Sequence, residues 1–549
     1  MIVTRRIESG RRKSSKTPQG AGMQGVGRWA ACAAMFGMSV FAIAAQAATQ
    51  DSSGASLQNP GYSRKDIVEF MAKAKSAEQI KDPLQRCLAY PDPPGSHWTP
   101  AAVRAYCHYR FQPLMSVSEI EGLIRSRQFA KLDGRMKAAL KAQQTDPSAP
   151  SRLNLIYDHA FTADATELRP LLDDWKSADP QSAFAYAASA WLYMDMARRA
   201  RGEKYENDTP QASLDKMRDL LAYVETDAYR SISLDPNVMP AYVALIYGAN
   251  ISENTEYATH FIDDALAQSP ADFTVYNTAT LVLQPRWHGS IKAMQDLVDR
   301  AHANEKKNPM LAVLKNYAAF YEVDQCGCGA QQQTVRYSKL FDEVTTSGNL
   351  WNAGDAAADA GADPLAMVLL SETLRFNPSA TRARSQRSMR LTSLGDAAWA
   401  VQQADIVIKQ DPTESAGFSA RAFALESMHD YPSAEIALKK AIQLDPKESW
   451  QLIELGNIHF VKHEWSDAWD ISNEAIAKFP DLPDAWILRG NIQMDQPRAG
   501  LKDTFDEFNK RFGNDPEWKE RLDEMREGLQ VEQQRHATSV AAPSEQNRG

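Results

Sequence analysis

The sequence predicts an all-α fold in which helix–turn–helix repeats stack into a superhelical solenoid, and three observations predict it. Pro378, Pro412, Pro446 and Pro480 stand 34 residues apart, closing the phrases LRFNP, IKQDP, IQLDP and AKFP. Ala400, Ala434 and Ala468 keep the same interval, as do Val407, Ala441 and Ala475 seven residues later. Upstream, ISLDP ends at Pro236 and ALAQSP at Pro270, again 34 apart. Small residues let two helices cross closely, larger ones fill the groove beside them, and proline lacks the N–H that would continue a helix. Such a unit cannot bury its apolar face alone, so the units must stack.

These residues resemble the W-x2-L-G-x2-Y…A-x3-F…A…P pattern of the tetratricopeptide repeat (TPR) family, whose period is also 34. The resemblance implies an extended binding platform rather than an enzyme.

The chain has 549 residues, 44% hydrophobic and 24% charged, ordinary for a soluble globular protein and long enough for a solenoid in two halves. Trp29 to Ala47 is an apolar run preceded by Arg28 and ended by Ala45-Gln46-Ala47. That pattern reads as a signal peptide over 1–47, cleaved after Ala47, with a periplasmic or secreted product. Met23 would start a leader of more ordinary length. Cys32 lies near the start of the apolar run rather than after it and makes no lipoprotein acylation site. Residues 48–549 carry 54 basic and 69 acidic side chains, which argues against nucleic acid or an anionic membrane as partner. No later stretch is apolar enough to span a membrane, so no insertion is expected after cleavage.

Cys87, Cys107, Cys326 and Cys328 remain after cleavage, and an oxidising compartment favours pairing an even number. Cys87–Cys107 is the expected disulfide. Cys326 and Cys328, in CGCG, are left open as a pair, as free thiols or as a metal or redox site.

Taken in order, 48–62 is a polar, flexible lead-in and 63–150 a helical segment without a repeat. Within the latter, Ala89–Pro100 holds too much proline and glycine for helix, and Thr99 is placed to cap a helix starting at Pro100. Phe129, Leu132, Met136, Ala139 and Leu140 keep helical spacing. Residues 151–325 carry the repeat less regularly, with an insertion around 201–210 after which Asp208 or Thr209 would cap a helix beginning at Pro210. Residues 326–348 (CGCGAQQQ and onward) read as a linker or loop. Residues 349–529 form the regular repeats, with Asp363-Pro364 starting one second helix and Ala366 and Leu370 filling its groove. A charged terminal helix runs to about Leu529, and 530–549 is expected to be disordered.

Two short motifs, ARG at 200–202 and PRWHGS at 285–290, resemble a bacterial domain-of-unknown-function family of TPR-like helices that shares P-R-W-x-G-S. The resemblance covers about 125–325 and implies no activity. In the loop Pro285 would stop a helix, Trp287 bury its ring, Gly289 supply a positive φ and Ser290 cap the next helix. Arg286 alone has no structural duty there; beside Trp287 it makes a combination common at binding hot spots.

No catalytic constellation or cofactor motif emerges. His459 and His463 lie four apart, but Phe460-Val461-Lys462 between them is no HExxH, and a core or rim histidine is the simpler reading. Asp173-Asp174 and Asp263-Asp264 are adjacent on helices and point apart. No metal or cofactor is expected. The remaining candidate surface is the groove that, by the TPR resemblance, the second, fifth, ninth and twelfth positions of each first helix line. It would offer Trp450, Ile453, Asn457 and Phe460 in one repeat, Asp484, Ile487, Asn491 and Met494 in the next, and Ala416, Ser419, Phe423 and Glu426 in the one before. Isoleucine stands where carboxylate-clamping members have lysine, so an apolar or mixed peptide groove is expected, facing another envelope or secreted protein. The competing expectation is an enzyme, or an accessory subunit of one, with a pocket in the 63–330 half.

Overall fold

The computed structural model describes residues 62–162, 165–203, 208–496 and 498–541. The leader, most of the lead-in, the middle of the insertion and the last eight residues lie outside them. Every regular element among the described residues is helical. They divide into two compact units, one drawn from Leu57–Ala357 and Pro364–Pro378, the other from Ala358–Asp363 and Ser379–Gly549.

In the second unit the period is visible in the element boundaries. First helices begin at Thr381, Ser415, Ser449 and Pro483, and second helices at Ala397, Tyr431 and Trp465, each series at the 34-residue interval. The helices form short-loop hairpins whose contacts run between neighbours, as a solenoid requires. Ala434, Ala437 and Leu438 of Tyr431–Leu444 pack on Ala422 and Leu425 before them and Leu455 and Ile458 after them. Ala400, Ala434 and Ala468 are fully buried, which is why only a small side chain suits that column. Consecutive first helices touch directly: Gln451 Nε2 donates to Ser419 Oγ at 2.9 Å. A Cβ on Gly456 would come 2.5 Å from Leu488 Cδ2, so glycine sets how closely they approach.

The last repeat is closed by the chain itself. Trp486, Phe508, Leu522 and Met525 form one buried cluster, which seats the helix Lys519–Ala541 against Pro483–Asp495 and Leu501–Phe512. That helix runs past Leu529 into the stretch expected to be disordered. Glutamine, glutamate and valine at 530–534 leave nothing in the sequence to stop it.

The first unit begins with Arg64–Glu78, whose Ser63 and Asp66 form a reciprocal capping box. Thr99 caps Pro100–Phe111 through the Ala102 N–H, and Cys87 and Cys107 bridge it to Pro83–Ala89 with Cα atoms 5.8 Å apart. Closing a loop of 20 residues this way restricts the unfolded chain by an amount worth on the order of 3 kcal/mol. Phe129–Thr145 buries Phe129, Leu132, Met136, Ala139 and Leu140.

Three expectations need correction here. The helix after the insertion is Gln211–Leu234, with Pro210 at the cap position and no side-chain cap, so neither Asp208 nor Thr209 serves. The stretch 326–348 is no linker. It contains the helix Ala330–Tyr337 and buries Tyr337, Phe341 and Val344. The Gly-Pro-rich segment before Pro100 docks on it: Trp98 Nε1 donates to the Phe341 carbonyl at 3.0 Å, and the His97 N–H to that of Asp342 at 2.9 Å. Finally, Pro364–Pro378, taken as part of the regular repeats, belongs to the first unit. Residues 365–376 are all buried, because the N-terminal helices cover a face that a solenoid helix leaves open.

Candidate functional site

The groove-facing side of the C-terminal repeats comes out differently from its sequence outline. Trp450 and Asn457 stand half-exposed on Ser449–Val461, and Asn491 on Pro483–Asp495. Ile453 does not join them. It is 4% exposed and packs with Leu452, Ala475 and Ala485, so the fifth position here belongs to the core between repeats. Phe460 turns onto Trp465, ring centroids 5.4 Å apart, and packs against Ala468, Leu488 and Ile492. Ile487 lies against the terminal cluster. Met494 is covered by the terminal helix, its Sδ 2.7 Å from where a Cβ on Gly528 would stand. An apolar groove is therefore largely spent on the chain's own packing.

What replaces it is acidic. Glu454, one residue past Ile453, is 8% exposed, accepts from Asn457 Nδ2 at 3.4 Å through Oε2, and has no hydrogen-bond partner on Oε1. Glu426, at the end of Ser415–Ser427, faces it within hydrogen-bonding reach. Burial pushes the Glu426 carboxyl up to about 10, and the Glu454 charge and the shared hydrogen bond add to it. Asp484, at the start of the next first helix, is pushed up to about 6 by burial, with Glu454 adding and Arg521 opposing. Among the described residues neither Glu426 nor Glu454 has a lysine or arginine beside it. Glutamate at the sixth position was the missed signal: it lies four residues after Trp450 and three before Asn457, on the same helical stripe.

His459 is 6% exposed and sits in an ion-pair knot. Its Nδ1 is 2.6 Å from Glu464 Oε2, and Lys462 Nζ reaches Glu464 at 2.8 Å and Glu435 at 3.0 Å. Glu435, His459 and Glu464 bring ligand atoms within 4.8 Å of one another, yet Lys439 and Lys462 already neutralise the carboxylates and hold Glu435 down to about 2. A cation would have to displace an ammonium there. His463 stands apart, over Trp465.

In the first unit the two motif stretches meet. Arg201 Nη2 binds Glu253 Oε1 at 2.6 Å, and Glu253 Oε2 is 3.2 Å from His288 Nε2. The Trp287 carbonyl accepts from Thr255 Oγ1 at 2.7 Å, and Ser290 caps Ile291–His302. Trp287 is half-buried, and Arg286 lies 5.7 Å over its ring. The positive φ falls on His288, at 65°, rather than on Gly289. Gly289 is needed for space: a Cβ there would lie 2.0 Å from the Leu283 carbonyl oxygen. The acidic pairs Asp173-Asp174 and Asp263-Asp264 are broken up by partners, Asp173 by Arg169 at 2.9 Å and Asp263 by Arg300 at 2.6 Å. Cys326 and Cys328 are bridged to each other.

No protein-family model matches the chain. Among solved structures, the APC/C hetero-tetramer Cut9–Hcn1 aligns at 10% identity over 83% of this chain and 87% of its own, with a TM-score of 0.34. A tetratricopeptide repeat protein from Parabacteroides merdae ATCC 43184 aligns at 14% identity over 52% of this chain and 96% of its own, TM-score 0.32. YrrB, a TPR protein with an unusual peptide-binding site, aligns at 19% identity over 41% and 95%, TM-score 0.24. The helical-repeat fold rests on the hairpins described above, and these alignments add no functional argument to it.

Proposed function

We propose that this chain is an exported scaffold that grips a protein or peptide partner on the first-helix face of its C-terminal repeats and performs no chemistry of its own. The observation that carries this reading is the set Trp450, Asn457 and Asn491, half-exposed on two consecutive first helices and outside the clusters that hold the repeats together. An indole offers a large rigid contact, and each amide can donate to and accept from an extended backbone. Export is inferred from the apolar run Trp29–Ala47, and a chain with two disulfides suits an oxidising compartment. No helix among the described residues is long and apolar enough to cross a membrane. The partner is accordingly another envelope or secreted protein. Residues 125–325, with their likeness to the P-R-W-x-G-S family, supply a second half of the scaffold and no activity.

The enzyme alternative draws on the Arg201–Glu253–His288 chain and on an open depression lined by Asp173, Lys176, Ser177, Pro180 and Tyr186. In both places the polar groups satisfy one another; Lys176, for instance, reaches Asp227 at 2.9 Å. Ion pairs of this kind are how a structural clamp is built.

The test is capture of envelope proteins by the purified full chain, compared with Trp450→Ala combined with Asn457→Ala. Capture should fall while far-ultraviolet circular dichroism keeps its helical form; unchanged capture sinks the groove. The same preparation should begin at Ala48, and retention of Trp29 would make the chain membrane-anchored.

A further inference from the structure

We propose that the first-helix face of the C-terminal repeats recognises a basic segment of its partner, seating an arginine or lysine side chain among Glu426, Glu454 and Asp484. This deepens the scaffold reading and rests on it.

The three carboxyls come from three consecutive first helices, Ser415–Ser427, Ser449–Val461 and Pro483–Asp495, so the repeat stacking itself gathers them. They are not arranged as a folding element would arrange them. Several other acids of this unit are paired with cations, Glu435 with Lys439 and Lys462, Asp405 with Arg421, Glu474 with Lys478. Here Glu454 is nine-tenths buried, its Oε1 receives no N–H and no cation, and the side chain facing it is another carboxyl, Glu426, so a cationic donor would replace an acid–acid contact with an ion pair. A guanidinium supplies several donors in one plane and suits two carboxylates at once. Trp450, four residues before Glu454 on the same helix, offers an aromatic ring to the same cation. Charge complementarity thus selects the occupant, and a second copy of this acidic chain fits poorly.

Entry of the cation changes the protonation of the pair. In the free chain Glu426 holds a proton and a hydrogen bond to Glu454; a guanidinium that binds the pair displaces that contact, and the Glu426 proton leaves to solvent. Asp484 faces the same region together with Glu517 and Arg521 from the terminal segment, and its ionisation is nearly complete at neutral pH. Uptake of an arginine side chain should therefore release a proton mainly from Glu426.

The probes are end-blocked, fluorescein-labelled peptides of glycine, serine and leucine that carry several arginines, with citrulline-substituted copies as neutral isosteres. The full chain should bind the arginine peptide at least about tenfold tighter, about 1.4 kcal/mol. Glu426→Gln combined with Glu454→Gln should level the two peptides with helical content unchanged. Calorimetry near neutral pH in two buffers of different ionisation enthalpy should detect proton release. Equal binding of the two peptides, still weakened by Trp450→Ala, overturns the charge reading and leaves the groove. Binding indifferent to Trp450→Ala, or none at all, overturns both. Calcium chloride alone occupying the site, with no preference between the peptides, also overturns the proposal.

Discussion

At the scale of single residues, two glycines in the motif stretches are required for different reasons. Gly202 ends Ala183–Arg201 at φ 74° and ψ −164°, a region open in practice only to glycine. Gly289 has no positive φ and is held by space, since a Cβ would press on the Leu283 backbone carbonyl at 2.0 Å. Backbone cannot swing aside as a flexible side chain does. Gly289→Ala should therefore destabilise the first unit by about 1–3 kcal/mol, the usual range for overpacking. A urea midpoint unchanged from the native chain would show that the loop after Val282 yields freely. The disturbance should spread to the Arg201–Glu253–His288 chain, because His288 immediately precedes the displaced residue. Sequence pattern anticipated the Ser290 cap in this loop. It assigned the positive φ to the wrong residue because a non-glycine in left-handed conformation is held only by its surroundings, here the contact with Glu253 and the hydrogen bond from Thr255 to the Trp287 carbonyl.

At the scale of elements, the column Ala400, Ala434 and Ala468 was legible because helix crossings tolerate one size of side chain there. Ala434→Leu should cost about 1–3 kcal/mol by forcing Tyr431–Leu444 away from Ser415–Ser427. The denaturant midpoint of the second unit reports it, and a neutral result would place the helix crossing elsewhere. Two features of the elements could not be read from spacing. Asp363–Phe376 shows a repeat-like pattern, yet it buries Glu372 and Arg375 because the N-terminal helices lie over it. Arg375 donates to the Cys87 carbonyl at 2.9 Å and to Asp92 at 2.7 Å, contacts across nearly three hundred residues of sequence. The edge of the groove shows the same effect. Counting positions places Ile453 inward, whereas the stacking of the next repeat draws it into the core and leaves its neighbour Glu454 on the inner face. Periodicity fixes which residues share a stripe; only packing between repeats fixes where the stripe's edge falls.

At the scale of the whole molecule, both units bury acids whose proton affinity is raised. Burial pushes Glu372 up to about 8 against the pull of Arg375, and Glu426 and Asp484 rise to about 10 and about 6. Asp272 and Asp324 also move upward by burial. In the unfolded chain these groups ionise near pH 4, so the folded state holds more protons between there and the raised values. Their stabilising contribution is full below about pH 4 and is lost as pH rises through about 6, 8 and 10 in turn. The ion-pair knot works in the opposite direction and in a different window: Glu435, held down to about 2, gives up its contribution only when pH falls below the ordinary carboxylate range. From mildly acidic to alkaline pH the raised acids therefore dominate, and the growing negative charge of an already acidic chain acts with them. The melting temperature should be higher at pH 6 than at pH 9, each kcal/mol lost appearing as a fall of about 2–4 °C for domains of this size. Glu372→Gln combined with Glu426→Gln mimics the protonated acids and should flatten that profile on its alkaline side, most visibly above pH 7. Differential scanning fluorimetry across this range decides it: a melting temperature that climbs toward pH 9, or a double variant with the native slope, would mean that these carboxyls are ionised in the folded chain and that cations or water reach them.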